Sequence, residues 1–528
     1  MASARTERRG VTTGPSVPSA GRILERSSSR PLVFGLCGLV FLFLALRFWD
    51  HTVDDAFISF RYARNLVDGH GLVFNPGERV EGYTNFLWVI WASLSLWLSV
   101  DPEQSCRWLG LAASAASLAA VVRFGPSSPH ARWAVWIAPL LLAVNPAFAV
   151  WATGGLEAPL FAGLILWGTC LAAEGVDSER GKLPASSAVL FALAALTRPE
   201  GALLAAVVAV AAVVLHRPGP GFWRSGCEWV AVFLALFAPY LIWRWSYYGY
   251  PLPNTFYAKV GGSGAQLERG LRYAHDFFWA TGYWLLPIAA AGFWGARRRF
   301  FALVATVTGA LVAQIVLVGG DGLPMYRFFV PVLGPFLLLV GWGTTAWLER
   351  VTHPRAARSI AAVALIVIAA YSSVPAFRGP QHDYVLQDVR EVGVWRQVGA
   401  WFREHARPGE TIAVLPAGAI PYFSGLPAID MLGLNDAHIA HRAVAQLGSG
   451  QAGHEKYDVD YVLARRPEYV IIGVYRLSPE PLRPEQMIAP SYAAERELLS
   501  HPGFVAQYRP ETARTPGGFF VYFVRSSP

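Results

Sequence analysis

Long apolar runs alternate with short polar links over the first two-thirds of the chain, and the alternation stops near Gln381. Pro31 to Trp49 and Phe300 to Val318 are apolar for about the ~20 residues that a helix needs to cross a bilayer. Similar runs cover roughly Ser105–Val122 and Trp133–Val150, then begin near Ala158, Pro184, Gly201, Glu228 and Tyr283, flank Gly319–Met325, and resume near Ile360. Phe86 to Val100 is shorter and follows a polar loop, so by itself it fits either a crossing or an interfacial helix. The apolar run after Pro31 is too long for a signal h-region and has no clear small-x-small cleavage site, so it is expected to remain as the first span.

Charge decides the ambiguous segment. Arg5, Arg8, Arg9, Arg22, Arg26 and Arg30 place the amino terminus in the cytoplasm by the positive-inside rule. If Phe86–Val100 does not cross, the links holding Arg123, His130 and Arg132, then Arg180 and Lys182, then Arg217 and Arg224, then Arg297 to Arg299, then Arg350, His353, Arg355 and Arg358 all fall inside. Forcing it across inverts all of them. The expectation is an α-helical polytopic membrane protein of about eleven transmembrane helices with its amino terminus in the cytoplasm. A Ser-, Gly- and Arg-rich segment over 1–30 is expected to be disordered, a transmembrane domain covers 31–378 with a first exterior loop at 50–104, and a soluble exterior domain covers 379–528.

Composition agrees. Only 15% of the residues are charged against about a quarter in soluble chains, and the mean hydropathy is +0.35. The 20 Trp, 20 Tyr and 31 Phe suit aromatic belts at the membrane interfaces. A net charge of +8 does not signal nucleic acid, because the bases sit in short links where orientation accounts for them. Cys37, Cys106, Cys170 and Cys227 lie in or beside apolar runs, which argues against a disulfide-stapled exterior domain and offers no metal-ligand spacing.

This topology collects acids and bases on the outer face, where ionisable groups near membrane depth mark function. The strongest constellation is Asp54-Asp55, directly after span one. Adjacent carboxylates raise the proton affinity of one of them, and such a group could take a proton from an attacking hydroxyl; the pair also suits the start of a short helix. Arg61 and Arg64, one turn apart, suit phosphate or lipid headgroups. Glu157, between two spans, could position a sugar hydroxyl, cap the following span, or join a first-loop acid (Asp55) around a divalent cation such as Mg, Mn or Ca. Asp321 and Arg327 either contact phosphate and sugar or pair with each other. Lys259 follows a Pro-rich extended run that also carries Asn254, and offers a third cation. Glu81, Asn254, Asp321 and His454 are candidates for positioning sugar or acceptor.

The run Asp54-Asp55-Ala56-Phe57-Ile58-Ser59-Phe60-Arg61-Tyr62-Ala63-Arg64-Asn65-Leu66, continuing through Val73-Phe74-Asn75-Pro76-Gly77-Glu78-Arg79-Val80-Glu81, resembles the first exterior loop of GT-C glycosyltransferases. The nearest family is the mycobacterial terminal arabinofuranosyltransferases that use decaprenyl-phosphate arabinose. Thr153-Gly154-Gly155-Leu156-Glu157 is similar to that family's second acidic motif. The resemblance implies an acid of the first loop, Asp54 or Asp55, as base or metal ligand, with Glu157 as the second acid. It implies a sugar, with arabinofuranose suggested, moving from a polyprenyl phosphate held by some of Arg61, Arg64, Lys259 and Arg327 to a cell-envelope glycan or lipid. The rival reading is a polytopic transporter or lipid flippase; no internal repeat supports it.

From Gln381 the pattern is that of a compact α/β domain. Val389–His405 carries Val392, Trp395, Val398, Trp401 and Phe402 on one stripe and predicts an amphipathic helix, while Thr411–Leu415, Tyr469–Val474 and Phe519–Val524 predict strands.

Overall fold

In a computed structural model, residues 29–126, 132–179, 181–216, 219–295, 297–351, 354–444 and 447–526 are described, without the side chains of 132, 354, 355, 357 and 358. The amino-terminal arginines before Ser29 and the link residues His130, Arg180, Arg217 and His353 lie outside them, as does the expected disordered segment up to residue 28.

Among the described residues, seven helices are long and apolar enough to cross a membrane: Ser29–Leu46, Pro102–Phe124, Ala158–Asp177, Pro220–Tyr248, Arg298–Leu317, Arg327–Leu348 and the apolar part of Ser359–His405. An eighth is reached if Trp133–Ala143 and Pro146–Thr153, bent by 53° at a break, form one span. The break falls at Asn145-Pro146, where a proline cannot continue the ladder and the Asn145 side chain accepts the Phe148 amide. Ala185–Thr197, Glu200–Leu215 and Leu285–Trp294 are shorter apolar helices, and eleven spans result only if all three also cross. Phe86–Trp97 has 12 residues and is about 18 Å long, well short of a ~30 Å hydrocarbon core. It packs along the Asp54–Val67 helix and exposes Trp91, Leu94 and Trp97 on its other side.

Two sets of contacts mark opposite ends of the helix bundle. At one end Arg123 meets Glu174 (3.6 Å), Arg297 meets Asp177 (2.8 Å) and Arg30 donates to the Gly125 carbonyl. At the other end lie the Asp54–Val67 helix, the start of Ala158–Asp177 and the carboxy-terminal domain. The bundle therefore separates the basic links from the acid-bearing loops.

The last apolar helix passes through a short 3-10 turn at Val374–Ala376 into Pro380–His405, the first helix of the carboxy-terminal domain. That domain holds a five-stranded sheet of order β2-β1-β3-β5-β4: β1 (Ile412–Val414), β2 (Ala428–Asp430), β3 (Tyr469–Ile471), β4 (Tyr508–Thr515) and β5 (Gly518–Arg525). β1 runs parallel to β2 and β3, and β5 runs antiparallel to β3 and β4. Period-two alternation sends Ile412, Val414 and Ile471 toward the Val392, Val398 and Phe402 stripe. Ala413, Val470 and Phe523 point the other way into a second core with Val462, Leu498 and Phe504. β2 and β4 were not among the expected strands: β2 has three residues, and β4 is a polar edge strand carrying Pro510, a position that tolerates proline. The four cysteines are free thiols.

Candidate active-site cavity

The Asp54–Val67 helix starts where Val53 adopts an extended conformation, and both aspartates occupy its first turn, where the helix dipole favours negative charge. From adjacent positions they face different surroundings. Asp54 accepts the backbone N–H of Gly418 (2.9 Å) and Ala419 (2.7 Å) in the carboxy-terminal domain. Its carboxyl is pushed up to about 7, first by burial and further by the Asp55 charge, with the two amides opposing. Asp55 instead lines a cavity of about 470 Å³ between the helices and the carboxy-terminal domain, and makes no hydrogen bond or ion pair with a described residue.

The charged lining of this cavity is nearly balanced. Glu157, only 3% exposed, is the N-cap residue of the Ala158–Asp177 helix, but its side chain makes no capping bond. Its side chain accepts from Arg198 (2.7 Å) and from Asn85 (2.8 Å). Arg198 also holds Glu200 at 2.9 Å. Asp321 and Arg327 form a two-bond pair (2.7 and 3.1 Å), so of the two readings weighed for them the mutual pairing is present, at the cavity wall. Lys259 lines the same space and, like Asp55, has no partner among the described residues. Among the described residues the cavity thus presents one unpaired acid and one unpaired base. Tyr83, Leu252, Phe256 and Val318 add apolar walls, and Leu434 and Ala452 bring in the carboxy-terminal domain.

Several expected site residues lie elsewhere. Arg61 does not reach the cavity: it is buried and donates to the carbonyls of Phe74 (2.7 Å), Pro421 (2.5 Å) and Leu426 (2.8 Å) and to Asn75 Oδ1 (3.0 Å). Arg64 donates to the Tyr422 carbonyl and stacks on the Tyr422 ring. Both guanidinium groups therefore dock the carboxy-terminal domain on the first loop, which corrects their assignment to the donor phosphate. Glu81 is paired with Arg244 (2.6 Å), and Asn254 donates to the carbonyls of Gly433, Leu434 and Asp436. Those two shape the cavity from behind rather than lining it. His454 stacks on Tyr492 (4.3 Å) outside the lining; burial lowers its pKa first, with nearby Lys259 adding and Asp55 opposing. Arg198, Glu200 and Asn85 are lining residues to which sequence reading gave no role, although Arg198-Pro199-Glu200 between two apolar helices carries the signal of charge at membrane depth.

As a metal centre the donor set is thin. Asp55 and Glu157 share the cavity, but Glu157 already accepts a guanidinium and an amide, and no group of three or more His, Cys, Asp or Glu side chains is gathered among the described residues. A hard divalent cation takes six or more oxygens, so these residues do not fit a cage made by the protein.

Residues 383–522 match the model of a domain of unknown function (DUF8728). The chain is 30% identical over 392 residues to a terminal beta-(1->2)-arabinofuranosyltransferase of Corynebacterium glutamicum, covering 61% of this chain and 56% of that protein. It is 31% identical over 242 residues to the protein of the same name from Mycobacterium tuberculosis, covering 42% and 37%. The chain thus spans about half or less of the length of these relatives. Its fold is shared with the crystal structure of ArnT from Cupriavidus metallidurans bound to undecaprenyl phosphate (TM-score 0.52, 13% identity, 78% of this chain and 86% of that one). It is shared also with the cryo-EM structure of the arabinofuranosyltransferase AftD from Mycobacteria (TM-score 0.51, 16% identity, 95% and 40%). The resemblance carried by the first-loop motif therefore holds: the curated relatives are terminal arabinofuranosyltransferases, and the polytopic helical architecture is shared with ArnT and AftD.

Proposed function

We propose that this chain is a membrane glycosyltransferase that moves a sugar, arabinofuranose by analogy with its relatives, from a polyprenyl phosphate to a hydroxyl of a cell-envelope glycan or lipid. The observation that carries the reading is a pair of charges, Asp55 and Lys259, without partners among the described residues, in one cavity whose other charges are paired. Asp55 accepts the proton of the acceptor hydroxyl. The acceptor oxygen bonds to the anomeric carbon as the bond from that carbon to the phosphate oxygen breaks, and the polyprenyl phosphate leaves with the electron pair. Negative charge grows on the departing phosphate, so Lys259 and Arg327 stabilise the transition state more than the ground state. Glu157, fixed by Arg198 and Asn85, is placed to orient sugar hydroxyls.

The site faces the periplasmic or extracellular side, and the chain spans the cytoplasmic membrane about eleven times. Support comes from the bundle itself, whose basic links gather at the end opposite the cavity. A transporter or flippase is disfavoured, because the cavity sits under a folded domain and the relatives are named as transferases. The test is release of polyprenyl phosphate from a synthetic polyprenyl-phosphoryl arabinofuranose by purified protein in detergent, with an arabinan acceptor. Release that depends on acceptor and is lost in D55N supports the proposal; full activity in D55N removes the base.

A further inference from the structure

Lys259 ends in a compact ammonium on a flexible stem, so with no ion-pair partner among the described residues its aim must be set by packing. That packing comes from the carboxy-terminal domain. Gly453 has φ +84, and a Cβ built on it would lie 2.9 Å from Lys259 Cε and 3.6 Å from Nζ. Only a residue without a side chain lets the backbone approach the lysine so closely. The preceding Ala452 lines the cavity itself.

The turn that carries Gly453 is tied down at both ends by one buried acid. Glu455 accepts the backbone N–H of Gly448 (2.7 Å) and Gly450 (2.7 Å) through one oxygen, and Arg269 (2.8 Å) through the other. Arg269 comes from the membrane domain and also donates to the carbonyls of Gly450 (2.9 Å) and Gly319 (2.9 Å). Gly319 immediately precedes Gly320 and Asp321, both in the cavity wall. One ion pair therefore joins the Gly448–Glu455 turn to the loop opposite it across the cavity rim.

We propose that the Gly448–Glu455 turn, clamped by Arg269 and Glu455, is a positioning element that aims Lys259 at the donor phosphate. The domain of unknown function thereby completes a site otherwise built from membrane helices. The inference rests on the cavity being the transfer site. Gly453, Glu455 and Arg269 touch no reacting atom in it; they act through Lys259.

The experiment measures binding of undecaprenyl phosphate by the full chain in detergent, together with KM and kcat for a polyprenyl-phosphoryl sugar. Gly453→Ala pushes on the lysine stem. Gly409→Ala is its control, since Gly409 has a similar φ of +89 in the same domain but open space around it. Expected for G453A is about tenfold weaker binding and a matching rise in donor KM, with kcat changed less and an unfolding temperature within that of G409A; E455Q, which leaves Arg269 without its acid, should weaken binding similarly and also lower the unfolding temperature. In a K259A background, G453A should add less than twofold, because its effect passes through the lysine. Binding by G453A equal to that by G409A overturns the inference, and so does an undiminished penalty in the K259A background. Wild-type protein that neither binds nor releases the lipid phosphate would instead overturn the transfer reading, and this inference with it.

Discussion

Asp54 and Asp55 are neighbours in the chain, yet Asp54 is held by the amides of Gly418 and Ala419 while Asp55 lines the cavity with no partner among the described residues. The helix they begin explains the divergence. Successive residues are about 100° apart around a helix axis, so the carboxy-terminal domain takes one carboxylate and the cavity the other.

Their substitutions should separate. Asp55→Asn removes the proposed base without changing its shape, and transfer should fall about 10²- to 10⁴-fold with little change in unfolding temperature. Asp54→Ala leaves two backbone donors in the domain interface without their acceptor, at about 1–3 kcal/mol each. Thermal unfolding should therefore drop, while the folded fraction keeps its kcat. Equal activity losses with equal loss of stability would show that the two acids work as a unit.

Asp54 also sets a pH dependence. Its carboxyl rises from 3.8 to about 7 on folding, so between those values the native state holds a proton that the unfolded chain has released. The stability it contributes is full below about pH 4 and is lost as pH rises through about 7. Measured against D54N, which does not titrate, the wild-type unfolding temperature should fall between pH 5 and pH 8. A difference that stays flat over that range would contradict the assignment.

Arg61 is expected to matter for assembly rather than for donor binding. Its guanidinium meets three carbonyls and Asn75, two of those carbonyls in the carboxy-terminal domain. Arg61→Ala strips several buried acceptors of their donor, costing about 3 kcal/mol or more. Limited proteolysis should then cut between the membrane helices and the domain, with donor KM unchanged in the intact fraction. A selective rise in donor KM would return Arg61 to the phosphate.

The fate of Arg61 shows where sequence reading stops. A guanidinium in a loop beside a membrane looks the same whether it will meet phosphate or carbonyl oxygen, and the carbonyls of Pro421 and Leu426 come from about 360 residues further along. Asp55 stood out only as half of an adjacent acidic pair, and Glu157 as a lone acid between apolar runs, each with a helix-start reading beside the chemical one. The pairing of Glu157 with Arg198 was not legible, since both residues flank different helices and nothing local links them. The amphipathic stripe from Val392 to Phe402 could be read from its period, whereas β2 was too short to carry one.

Of the three lining cations, Lys259 and Arg327 should behave differently, because Arg327 is paired and Lys259 has no partner among the described residues. Lys259 has no counter-charge among the described residues to leave behind, so Lys259→Ala should raise donor KM about tenfold, or about 1.4 kcal/mol, at nearly unchanged stability. Arg327→Ala abandons Asp321, whose side chain is 6% exposed, and an uncompensated buried charge costs about 3–5 kcal/mol. Its loss of activity will therefore mix misfolding with any lost phosphate contact. Neutralising both partners as Asp321→Asn with Arg327→Gln removes the stranded charge and should recover most of the unfolding temperature. If donor KM stays high in that stable double variant, Arg327 meets the phosphate as well as its acid; if KM returns to the wild-type value, Arg327 serves only to hold the Gly319–Gly322 wall, and Lys259 binds the leaving group alone.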